Sequence, residues 1–161
     1  MKKGNKTFII VFVIVVLAVG LLGYRNFFGG EGSGGGKVPC VNSALPQVLH
    51  IHPQLKIVVG GQDVPITANI GLEFSCHRVL HTHDADGVIH VESHYQADFT
   101  LGDFFKLWEK TFSATQILEN IADAEHEIVM TVDGAPSAEY ESLLLKDKQK
   151  IVIEYHTKVG E

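Results

Sequence analysis

Histidine is the residue in this chain whose number and spacing point most directly to chemistry. Of nine histidines, seven lie between His50 and His94. Within that stretch stand two His-x-His pairs, His50/His52 and His81/His83, and a His90-Val-Glu92-Ser-His94 run. On a strand, residues two apart share a face, so an H-x-H pair can present two imidazole nitrogens to one ion. Neutral imidazole is the commonest metal ligand near neutral pH. A histidine-rich set with few thiolates suits copper, zinc, nickel or non-haem iron better than calcium or magnesium, and copper or zinc is the expected ion. His81 and His83 with His90 are the first choice of ligands, and His50 with His52 the second. Asp84 and Glu92 are candidates either to orient these imidazoles or to ligate. The competing reading is that the histidines are ordinary polar residues on the solvent face of an amphipathic sheet. His126 and His156, far along the chain, read as structural or surface residues.

The spacing matches no catalytic signature. It lacks the His-Glu-x-x-His of metalloproteases and the paired Cys-x-x-Cys of zinc ribbons, and no serine elbow or phosphate loop is present. An enzyme is therefore a secondary reading, in which a three-histidine ion with an open position activates water or oxygen and Glu92 is the one candidate base. No catalytic residue is assigned. A metal-free interaction or assembly domain serving a membrane partner is the other alternative.

Cys40 and Cys76 are the only cysteines. An even count in an exported domain favours a disulfide. The alternative is that Cys76, beside His77, is a thiolate ligand, and the two roles exclude each other.

The elements that position these residues follow from patterning. Val48 to His52 alternates, and Leu55 to Val59, Gly60-Gly61 and Gln62 to Ile66 predict a hairpin, because paired glycines supply the positive φ of a tight turn. Strands are expected at 76–80 and 88–92, with Asp84 to Gly87 a turn between them. Thr100 with Asp103 three residues on forms a capping box before Phe104, Phe105, Leu107, Trp108 and Phe112, predicting a helix over about residues 101 to 111, with a further helical turn possible over 113–121. Strands at 127–132 and 149–155 follow, with a turn at Asp133-Gly134 and a short apolar stretch at 143–145. The expected class is α+β: a mixed, mainly antiparallel sheet covered by one short helix and preceded by a single transmembrane helix.

That membrane helix is read from Thr7 to Tyr24, an uncharged apolar run spanning roughly 27 Å as a helix. Lys2, Lys3 and Lys6 precede it, so residues 1–6 are placed in the cytoplasm and the chain after it outside. A cleaved signal peptide is the alternative, with Ala18-Val19-Gly20 as a small-x-small site. Residues 25–37, with GGEGSGGG at 29–36, form a flexible linker, and 38–161 the extracytoplasmic globular domain. The expected partners are the membrane and a neighbouring membrane protein. A net charge of −6 without a basic patch argues against nucleic acid.

HIHPQLKI, PITANIGL, the Cys76 to His81 spacing, HTHDADGVIHVES and FTLGDFFKLW together resemble a family of short exported or membrane-anchored proteins of bacteria and archaea carrying an HTHDxxGxIHxES motif. The resemblance spans residues 48 to 110 and implies a location, not an activity. The last third is similar in its ordering to a β-grasp module, without the exposed Gly-Gly tail of a sulfur carrier.

Overall fold

The computed structural model describes residues 38–158. The expected cytoplasmic stretch 1–6, anchor 7–24 and linker 25–37 lie outside them. Among the described residues, no helix is long and apolar enough to cross a membrane.

The largest sheet is built where apolar residues alternate. Strands β2 (Gln54–Val59), β10 (His126–Val132) and β12 (Lys150–Thr157) bury Leu55 and Ile57, Ile128 and Met130, and Ile151 and Ile153. Period-two spacing puts each pair on one face. β12 runs parallel to β2, aligning Ile153 with Ile57, and antiparallel to β10. The edges are β3 (Gln62–Val64), reached through the Gly60-Gly61 turn, and β11 (Ala135–Pro136). The buried face meets Leu101, Phe104 and Phe105 of helix α1 (Leu101–Leu107) in one core.

The expected class is corrected by these elements. Among the described residues the structure is predominantly β, its strands divided among four sheets of five, three, two and two strands, with one α-helix only seven residues long. The capping box forms as expected, with Thr100 and Asp103 exchanging side-chain to backbone hydrogen bonds. The helix stops at Leu107 instead of near 111 because Glu109 takes a left-handed φ of 58°, which ends helical hydrogen bonding. The stretch 113–121 is no helix either. It is a hairpin of β8 (Gln116–Ile117) and β9 (Asn120–Ile121), with Leu118 at a positive φ in its turn.

The three-stranded sheet carries the histidines. It comprises β1 (Leu49–Ile51), β7 (His90–Ser93) and β6 (Leu80–His81), with β7 central and both pairings antiparallel. The expected strand 76–80 is broken: β5 (Cys76–His77) pairs instead with β4 (Leu72–Glu73), and the chain bends at Val79 before β6. Cys40 and Cys76 form a disulfide, so Cys76 cannot be a thiolate ligand.

Candidate metal centre

The register of the small sheet separates its two faces. Leu80 and Ile51 both pair with Val91, and this row turns toward the core. The alternate row holds His81 opposite His90 and His50 opposite Glu92. The strand histidines and Glu92 therefore land on the face opposite the Leu80, Val91 and Ile51 row. His52 follows β1, and its ring meets that of His90 at a centroid distance of 4.7 Å.

Loop residues extend the row. Thr82 is fully buried between His81 and His83; its hydroxyl donates to the Thr67 carbonyl and accepts from the Ile70 N–H. Those two bonds fix the direction in which the chain leaves β6. Trp108, capping α1, donates from its indole to the Thr67 hydroxyl and ties the helix to the same segment. On the other side of His83, Gly87 has a φ of +82°, and a Cβ there would lie 2.1 Å from the Leu55 carbonyl oxygen. Only glycine lets the 84–87 turn approach β2 so closely.

The result is a continuous array of six imidazoles. Ring centroids lie 4.6 Å apart for His50 and His52, 4.6 Å for His83 and His90, and 4.9 Å for His81 and His83. His81 and His90 stack at 5.2 Å, and His77 lies 4.3 Å from His81. Among the described residues, three sets have ligand atoms all within 4.8 Å of one another: His50, His52 and His90; His77, His81 and His83; and His81, His90 and Glu92. The rings of His81, His83 and His90 adjoin as a trio, but the converging sets distribute them differently. His77, absent from the sequence-derived ligands, joins the second set.

His81 is the most constrained member. It is fully buried, and its Nδ1 lies 2.9 Å from the Arg78 carbonyl. A carbonyl can only accept, so Nδ1 carries the proton and Nε2 presents a bare lone pair. That Nε2 is buried and has no hydrogen-bond partner. Arg78 is itself held, its guanidinium bonded to Glu73 and to the Val38 carbonyl. Burial, with the His77 imidazole next in importance, pushes His81 down to about 4 and keeps it neutral at physiological pH. His90 is lowered in the same sense, by burial first and then by His83 and His52, and its Nδ1 too is buried without a partner.

Two carboxylates border the array. Glu92 Oε1 lies 3.4 Å from His50 Nε2, while its Oε2 accepts from the Gln47 amide at 2.7 Å. Asp147 accepts the His52 backbone N–H at 3.1 Å and stands 3.9 Å from its Nδ1. Asp84, expected as an orienting residue, is exposed in its turn. His94 lies outside the converging sets, accepting the Asn42 N–H. His126 bonds Asp123 and stacks on Tyr155, and His156 lies near Glu127, both away from the array.

Such a set of imidazole nitrogens, one with its second nitrogen held by a backbone carbonyl, is the donor arrangement typical of transition-metal sites. Protein-family models, curated proteins and solved structures return no match to this chain, so the reading of the site rests on its own geometry.

Proposed function

We propose that this protein binds a transition-metal ion, copper or zinc, through the histidine face of its small sheet, and presents it on the outer side of a membrane to which segment 7–24 holds it. One observation carries the reading: the bare, buried Nε2 of His81 among converging imidazoles. A buried polar atom without a partner costs on the order of 1–3 kcal/mol, and a ligated ion relieves that cost. Because the cysteines are joined, the donors are imidazoles with one or two carboxylates, which suit borderline ions. Copper(II) heads the divalent affinity series, and zinc readily accepts three histidines with an open fourth position. The disulfide accords with an oxidising compartment.

The test is elemental analysis of the full chain in mild detergent, purified without a histidine tag, beside the His81→Ala/His83→Ala variant. Bound copper or zinc should fall in the variant, which removes two members of the His77, His81 and His83 set, while its circular dichroism is retained. Failure to take up either ion on titration would make the histidines structural and leave a metal-free interaction domain. Iron, which the His81, His90 and Glu92 set would suit, would overturn the choice of ion.

A further inference from the structure

Resting on that metal-binding reading, we propose that the array is a two-ion site, in which His50, His52 and His90 hold one ion, His77, His81 and His83 hold a second, and the Glu92 carboxylate lies between them. The two histidine sets share no residue, so all six imidazoles can ligate at once. Each supplies three nitrogens, the number that holds zinc or copper with one position left for solvent or an added ligand. The sets are neighbours across a single ladder: His81 pairs directly with His90, and their rings stack.

Glu92 is the residue that joins them. A carboxylate oxygen of Glu92 lies within 4.8 Å of ligand atoms of both His81 and His90, one from each set. Gln47 anchors Oε2, and Oε1 faces His50. A carboxylate between two cations offsets their mutual repulsion, and Asp147 beside His52 adds a second negative charge at the outer end. A single three-histidine ion would leave three further imidazoles packed against it with no role. Two ions use all of them, and the two sets adjoin through the stacked rings of His81 and His90, 5.2 Å apart between centroids.

The experiment is zinc titration of the full chain by equilibrium dialysis and elemental analysis, with copper(II) loading followed by electron paramagnetic resonance. The wild type should bind two equivalents of zinc, and His50→Ala/His52→Ala and His77→Ala/His83→Ala one each. Glu92→Gln should keep the first equivalent and weaken the second roughly ten- to hundredfold. Two copper(II) ions this close should couple, so the wild-type signal falls below that of two isolated ions, while each double variant shows one full uncoupled signal. The four substituted histidines are exposed or half-buried; should a variant fail to fold, wild-type stoichiometry and coupling decide alone. One equivalent in the wild type overturns the two-ion site and leaves metal binding standing. Two uncoupled equivalents, or two that survive in both double variants, also overturn it. No uptake removes the metal-binding reading as well.

Discussion

Acid should destabilise the metal-free protein well above the pH at which carboxylates protonate. His81 has a folded-state pKa of about 4 against an ordinary 6.5. Above pH 6.5 it is neutral in both folded and unfolded chains and contributes its full share of stability. Between 6.5 and 4 the unfolded chain takes up a proton that the folded one refuses, so stability falls with pH; below 4 both are charged and the loss levels off. A shift from 6.5 to about 4, at 1.36 kcal/mol per pKa unit, gives a loss of about 3 kcal/mol across that window. His90, lowered by the same causes, adds to it in the same direction. Asp123 is also lowered, chiefly by the Glu125 N–H, but a lowered carboxylate acts only below its ordinary 3.8 and leaves this window clear. The assay is urea denaturation of chelator-treated protein at pH 7, 6, 5 and 4, with His81→Leu as the control that cannot titrate. The wild type should lose roughly 10 °C of melting temperature over this range in a parallel thermal series, and the control markedly less. Equal pH slopes in wild type and control would refute the assignment of His81 as a buried neutral imidazole.

Other outcomes follow from the same geometry. Zinc or copper at a hundred times its dissociation constant should stabilise the fold by about 2.7 kcal/mol, and a chelator should reverse this, as followed by thermal denaturation. Thr82→Val leaves the Ile70 N–H without its acceptor; it should cost about 1–3 kcal/mol and weaken metal binding about tenfold, since it loosens the link between His81 and His83. Cys40→Ser/Cys76→Ser opens a crosslink with a sequence separation of 36, worth about 4 kcal/mol by loop entropy, and should show as a lowered urea midpoint. An unchanged midpoint would mean the bond does not constrain the unfolded chain.

Parts of the fold are legible because they depend on local patterning. The alternation in β2, β10 and β12, the Gly60-Gly61 turn and the Thr100/Asp103 capping box are each set within a few residues. Beyond such local patterns the chain departs from expectation. The aromatic stripe continues past Leu107 to Trp108 and Phe112, yet backbone conformation at Glu109, not side-chain periodicity, ends the helix. The β8–β9 pair has two residues per strand, too few to show a period. The division into separate sheets depends on register between distant strands, such as β12 beside β2, which no local window contains.

The site shows the same boundary from the other side. Counting in twos puts His50 with His52, and His90 with Glu92, on shared faces, and the ladder sets His50 against Glu92. The same count does not reach His77, because the chain bends at Val79 between β5 and β6 and the shared parity of 77, 81 and 83 no longer marks one face. Asp147, 95 residues from His52, and the Arg78 carbonyl left no trace in the pattern. These unpatterned contacts matter most to the chemistry. Alternation only chooses the face on which an imidazole stands, whereas a hydrogen bond to Nδ1 decides which nitrogen is left to meet an ion. Flexible surface histidines would have to be ordered at the moment of binding, at an entropic cost of up to about 1–2 kcal/mol per side chain. His81 is already held by Arg78, and the chain beside it by Thr82, so that cost is met when the domain folds. A histidine face with the Thr82 anchor removed should still collect ions, but more loosely, and Thr82→Val isolates that contribution because the Arg78 carbonyl continues to hold His81.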